Sequence, residues 1–268
     1  MTGPELLSVE NLVVSFRQYE RGLRRRTVTA LSGMDLAVRA GEVVALVGAS
    51  GAGKSLLAHA VLGMLPPNAR ETGLVRFDGE PVAPRARRRL AGRAITILPQ
   101  SVTFLDPVAT VGSQVRRSAR LAGAAAPRVA AADALARRGL EPDVARRYPH
   151  ELSGGMTRRV LLAMSTMGRA RLVLADEPTP GLPADTVRAV LADFRALADE
   201  GRGVVLITHE LAGAVEVADR VVICRDGRTV DTADPADFTG DGACLTHPYT
   251  RALWQALPAH GFRLPVEA

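Results

Sequence analysis

Apolar residues along this chain gather in short runs, and these alternate with stretches whose apolar positions recur every three or four residues. Six runs, at 6–14, 43–47, 94–98, 171–175, 203–207 and 220–225, have the length and β-branched content of strands. Helical patterns lie between several of them, at 54–64, 184–199 and 210–218. VVALV, RLVLA and GVVLI are apolar at nearly every position, which predicts parallel strands buried on both faces. Segments 6–14, 34–39 and 73–77 are spaced by turns and predict an antiparallel region. Residues 101–169 break the alternation: they are rich in alanine and arginine and carry no strand pattern. The expectation is one α/β domain over residues 1–268. Its core spans about 1–98 and 170–239, with a helical subdomain inserted at about 99–169. Past Gly240, prolines at 248, 258 and 265 mark a short appendage, 240–268. No repeat of 20–50 residues is present, which excludes solenoids and propellers.

Composition narrows the class without naming it. With 47% hydrophobic and 23% charged residues the chain is globular, neither disordered nor collagen-like. The longest uncharged apolar stretch, 56–69, includes His59 and is shorter than the roughly 18 residues a membrane-spanning helix needs. The opening MTGPELLSVEN lacks the basic-then-apolar build of a secretory signal, and two cysteines are too few for a disulfide framework. These features predict a cytosolic protein.

The net charge of +6 is uneven. Residues 101–170 hold eleven arginines and five acids, so this stretch carries the whole excess. Such a block can face nucleic acid, an anionic leaflet or acidic loops of a partner, or it can be a set of solvated helix faces. The choice of cation is sharper: Lys54 is the only lysine in the chain. One position calls for a compact ammonium rather than a planar guanidinium.

That lysine lies in GASGAGKS, made of Gly48, Ala49, Ser50, Gly51, Ala52, Gly53, Lys54 and Ser55, which fits G-x-x-x-x-G-K-[ST]. The motif follows the run VVALV and precedes a helical stretch, the strand–loop–helix context a phosphate cradle needs. Its glycines let backbone N–H groups curl round phosphate oxygens, Lys54 reaches the β- and γ-phosphates, and Ser55 ligates Mg²⁺. A second element, RLVLADEP at 171–178, carries Asp176 and Glu177 to the C-terminal end of a buried strand. Asp176 is the candidate for the Mg²⁺ shell and Glu177 for orienting or deprotonating an attacking water. A third, YPHELSGGM at 148–156, places Ser153 as an N-cap ahead of Gly154 and Gly155 on a helix reaching about Met167.

LSGG after a P-loop, about twenty residues before an Asp-Glu strand end, resembles the ATP-binding cassette ATPases. The resemblance covers nearly the whole chain. It implies a RecA-like P-loop core with an antiparallel β region and an inserted helical subdomain, binding ATP and Mg²⁺. By resemblance, Phe16 stacks on adenine, Gln100 senses Mg²⁺ and the membrane subunits, and His209 contacts the γ-phosphate. Ser153, Gly154 and Gly155 face the nucleotide held by a second ATPase subunit. The further partners implied are two transmembrane permeases and an extracytoplasmic substrate-binding protein, with this chain on the cytoplasmic face of the cell membrane and no nucleic acid bound.

Within the family, Met156 in the signature, ADEPT and the tail HPYTRAL at 247–253 are similar to oligopeptide, dipeptide and nickel importers, and LGMLPPNARETG at 62–73 looks most like nickel-importer subunits. Two positions depart from the pattern. Pro183 stands where an interface aspartate is usual, which points to pairing with a different companion ATPase, and Thr157 replaces an arginine. Two other readings stay open: a regulatory module that binds ATP without hydrolysing it, and a nucleic-acid- or ribosome-associated ATPase.

Overall fold

The computed structural model describes residues 5–21, 24–101 and 104–258. It contains two sheets. Strands β1 (Glu5–Arg21), β2 (Arg24–Arg39), β4 (Ala69–Phe77) and β5 (Glu80–Pro81) form an antiparallel sheet in the order β2-β1-β4-β5. Strands β3 (Val43–Gly48), β6 (Ile95–Leu98), β7 (Leu172–Asp176), β8 (Gly203–Thr208), β9 (Arg220–Arg225) and β10 (Arg228–Ala233) form the other, in the order β10-β9-β3-β8-β7-β6. This second sheet is parallel except for β10, which returns antiparallel along β9.

The continuous apolar runs are explained by two cores. On β3, Val43, Ala45 and Val47 enter one core while Val44 and Leu46 enter the other. The same two-residue alternation divides Val173 and Ala175 from Leu172 and Leu174, and Val204 and Leu206 from Val205 and Ile207. Neither face of these strands meets water, so polar residues appear only at their C-terminal ends, Asp176 and Thr208. The second core is closed by the antiparallel sheet and by helix α1 (Lys54–Val61), through Leu57, Ala58, Ala60 and Val61.

The first core is closed largely by helices. Helix α6 (Ala184–Asp199) presents Val190, Leu191, Phe194, Leu197 and Ala198, the stripe expected of an amphipathic helix. The inserted segment supplies α3 (Val111–Leu121), α4 (Pro127–Arg137) and α5 (Gly154–Thr166). Among its described residues there is no strand, as the alanine- and arginine-rich composition predicts.

Several elements differ from the sequence expectation. Strand β1 runs beyond 14 because the polar segment after Ser15 keeps pairing with β2, as in Gln18↔Arg26, where backbone bonds need no apolar face. The helical pattern 54–64 ends at Val61; Gly63, at φ +66, turns the chain where a Cβ would lie 2.2 Å from the Pro84 carbonyl oxygen. The pattern 210–218 shortens to α7 (Leu211–Val215). Strand β10 escapes apolar patterning because RTVDTA is an edge strand with polar positions on it. Helix α2 (Pro84–Leu90), also unanticipated, is arginine-rich, and its fully buried Arg87 pairs with Glu71 of β4.

The appendage forms helix α8 (Pro248–Gln255), where Trp254 packs edge-on against Phe238 and donates from Nε1 to the Gly240 carbonyl at 3.1 Å. Thr250, buried on the same helix, donates to Asp231 of β10. Pro265 lies outside the described residues.

Candidate active site

The C-terminal ends of the parallel strands meet at one edge of the sheet, and the P-loop leaves β3 there. It can do so because Gly48 has no side chain: a Cβ would fall 2.2 Å from the Cys224 carbonyl oxygen of β9. Lys54, only 6% exposed, folds back and donates from Nζ to the carbonyls of Gly48 at 2.7 Å and Ala49 at 3.1 Å. Burial pulls its pKa down, and the charges of Glu177, Cys224 and Asp176 partly oppose this.

Ser55, at the start of α1, donates from Oγ to Asp176 Oδ1 at 3.0 Å, joining the loop after β3 to the end of β7 past the intervening β8. Burial pushes the Asp176 carboxyl up; the Ser55 hydroxyl holds it back, and the neighbouring Glu177 charge pushes it further up. Glu177 adopts φ +49, unusual for a residue with a side chain. Its N–H donates to the Ile207 carbonyl at 2.8 Å, and Oε1 lies 2.9 Å from His209 Nδ1. Thr208 Oγ1 is 3.4 Å from the other carboxylate oxygen. Glu177 is therefore buried, at 8% side-chain exposure, while His209 stands in the open at 59%.

Lys54, Ser55, Glu177 and His209 line a cleft of about 800 Å³, and Asp176 lies behind Ser55, off its wall. Ser50 to Ser55 form its floor, and Gln100, Glu177 and His209 wall it on the side of β6, β7 and β8. Thr29, Ala30, Asp226 and Gly227 wall the other side. Strand order fixes this division, because β9 and β10 lie on the far side of β3 from β8 and β7. Phe16 is not among the lining residues; it is half-buried on β1 and packs against the core beneath the antiparallel sheet. Ser153, Gly154 and Gly155 are not on the wall either. Ser153 caps α5, its hydroxyl accepting from the Met156 N–H at 3.2 Å, as its place before the glycines predicts. Pro183 is the N-cap of α6. Thr157 is buried, and its hydroxyl donates to the Ser153 carbonyl at 3.0 Å.

Two features escaped the sequence reading. The Asp226–Gly227 wall comes from the turn between β9 and β10, and the Asp-Gly dipeptide after an apolar run was its signal. Arg158 of α5 reaches the carbonyls of Glu177 and Gln100. Nothing in the sequence separates it from the other arginines of its block.

Among the described residues no group of three His, Cys, Asp or Glu side chains converges to hold a metal by itself. A hydroxyl bonded to one carboxylate at a phosphate cradle suits Mg²⁺, which takes few protein oxygens and completes its shell with phosphates and water.

The fold and the cleft define a P-loop nucleotidase, and comparison identifies its kind. The family model described as ABC transporter matches residues 31–180. The chain belongs to that family and is an ABC-type ATPase cassette. It is similar to the oligopeptide transport ATP-binding protein OppD of Mycobacterium tuberculosis, 37% identical over 97% of this chain and 44% of OppD. It is also similar to the dipeptide transport ATP-binding protein DppD of Escherichia coli, 35% identical over 94% of this chain and 78% of DppD. The chain thus spans less than half the length of the former and about three-quarters of the latter. Among solved structures it resembles an ATP-binding subunit of an ABC transporter, with TM-score 0.70 and 26% identity over 87% of this chain and 91% of that one. The ADP- and Pi-bound dimeric cassette MJ0796 shares the fold, with TM-score 0.75 and 24% identity over 86% of this chain and 99% of that one. No helix among the described residues is long and apolar enough to cross a membrane.

Proposed function

We propose that this chain hydrolyses MgATP to energise a peptide importer. The observation that carries the reading is the convergence at one cleft of Lys54, of Ser55 with Asp176 bonded behind it, and of the Glu177–His209 pair. The P-loop amides and Lys54 would hold the β- and γ-phosphates, and Ser55, Asp176 and Gln100 would hold Mg²⁺. When bound, that ion neutralises phosphate charge. Glu177 is the general base for the attacking water, fixed by His209 and Thr208, and His209 and Gln100 attend the γ-phosphate end. Phe16 lies off the cleft wall, so a stack on adenine is supported by the resemblance alone.

The Ser153–Gly155 cap lies off this cleft, which supports a second cassette as the surface it completes, so that two chains enclose two nucleotides. Pro183 gives the loop before α6 no carboxylate, which favours a companion ATPase of different sequence over a second copy. Two permeases and an extracytoplasmic binding protein complete the system, and the chain works at the cytoplasmic face of the membrane. The names of the peptide-transport relatives favour di- or oligopeptides as cargo, whereas segment 62–73 keeps nickel chelates as the competing cargo.

Reconstitution with the two permeases, the companion ATPase and the binding protein tests the reading. Peptide-loaded binding protein should stimulate ATP turnover severalfold. Stimulation by a nickel chelate alone would reassign the cargo, and full coupled turnover with this chain as sole ATPase would remove the companion. Arg116, Arg117 and Arg120 lie on α3 in no ion pair among the described residues. Changing all three to glutamate should weaken recruitment to permease-bearing membranes and spare ATP binding.

A further inference from the structure

Glu177 bears a backbone conformation that its side chain disfavours. At φ +49 it lies in the left-handed region, where the Cβ crowds the following carbonyl. Such a conformation persists only when its surroundings hold it. Its N–H is held by the Ile207 carbonyl of β8, and its carbonyl accepts from the guanidinium of Arg158. The other terminal nitrogen of Arg158 donates to the Gln100 carbonyl at 3.1 Å.

One planar fork therefore bridges the segments that follow β6 and β7, two strands paired side by side. A lysine, with its single ammonium centre, does not match that geometry. The guanidinium is half-buried, and burial lowers its pKa against the attraction of Glu177, which marks a charge taken from water for these contacts. Arg158 belongs to α5, the helix capped by Ser153.

We infer that Arg158 is a positioning residue for hydrolysis: it holds Glu177 in its left-handed conformation and ties Glu177 and Gln100 to the helix that begins at the Ser-Gly-Gly cap. This rests on the reading of Glu177 as general base. A shift of α5, imposed by whatever meets its exposed N-terminus, then moves the base within its own chain. Loss of the guanidinium frees the Glu177 peptide to relax, and the carboxylate turns away from the water it activates. ATP binding is untouched, because Arg158 does not line the cleft.

The test compares Arg158→Ala and Arg158→Lys, each assembled with the companion ATPase and permeases, by steady-state turnover and by nucleotide titration. The alanine variant should lower kcat about tenfold to a hundredfold, the range set by one charge-assisted hydrogen bond, with KM and the ATP dissociation constant within about twofold. The lysine variant should recover part of the rate. Adding Arg158→Ala to Glu177→Gln should slow turnover no further, since both act through one carboxylate. Wild-type kcat in the alanine variant, a matching loss of ATP affinity, or losses that multiply in the double variant would each overturn the inference. Glu177→Gln turning over at the wild-type rate instead strikes the reading of Glu177 as base and removes the inference with it.

Discussion

Replacing Lys54 with methionine should have opposite effects on nucleotide affinity and on the stability of the free chain. Two of the three ammonium protons are engaged by the Gly48 and Ala49 carbonyls, leaving one donor for a phosphate oxygen. A hydrogen bond to a charged group contributes about 1.5–3 kcal/mol. A unit charge 4 Å from a phosphate oxygen adds about 4 kcal/mol at an effective dielectric of about 20, part of which is lost to desolvation. A net loss of about 3–4 kcal/mol corresponds to roughly 10²–10³-fold weaker ATP binding. The free chain responds differently. Burial depresses the Lys54 pKa despite three nearby acidic groups, so the ammonium is less favourable in the folded chain than in the unfolded one. Methionine fills the same space without that charge, and the apo thermal midpoint should hold or rise. Titration calorimetry gives the affinity, and thermal unfolding with and without ATP gives both quantities, since nucleotide stabilises by RT ln(1 + [L]/Kd). A variant that binds ATP within threefold of wild type, or whose apo form unfolds well below it, refutes this account of the lysine.

Glu177→Gln should keep ATP affinity and cut turnover by about 10²–10⁴, the worth of a positioned general base; single-turnover hydrolysis measures it, and a wild-type rate removes the role. The thiols should separate cleanly, because Cys224 is buried and Cys244 exposed. A disulfide reagent should label one thiol rapidly in the native chain and the second only on unfolding. Burial pushes the Cys224 thiol up to about 12 from an ordinary 9.0. Between those values the folded chain keeps a proton the unfolded chain has lost, so its contribution to stability falls as pH rises through that window. Urea midpoints of wild type and Cys224→Ala at pH 8 and 10 check the sign: the alanine variant should lose less on the alkaline side.

The P-loop was legible because its requirement is local. Gly48 and Gly53 must be glycine where they stand, at a close approach to Cys224 and at φ +94 against Leu31, and a lone lysine among arginines marked the spot. The central strands were legible because burial on both faces leaves an uninterrupted apolar run. Strand β10 and helix α2 were not: each is polar in sequence, held by strand pairing or by a buried Arg87–Glu71 pair that no periodicity reports. The site divides along the same line. Asp176, Glu177 and His209 end apolar runs and could be read off them. The Asp226 wall and Arg158 depend on which strands become neighbours, and that is decided by the sheet order and not by the local sequence.

That sheet order also bears on how the chain is made. The P-loop strand β3 emerges from the ribosome early, apolar on both faces, yet its neighbours are β8 and β9, and Val43 pairs with Val204, roughly 160 residues later. At typical synthesis rates the strand waits on the order of ten to thirty seconds for either partner. During that interval the antiparallel sheet, already complete in sequence by β5, and helix α1 can shield one face of it. Val44 and Leu46 can shelter there, whereas Val43, Ala45 and Val47 wait for helices made much later, α6 only just before β8 and α7 after it. A nascent chain halted before α6 therefore displays the half of the strand that later supports the catalytic edge, and holdase chaperones should engage it there.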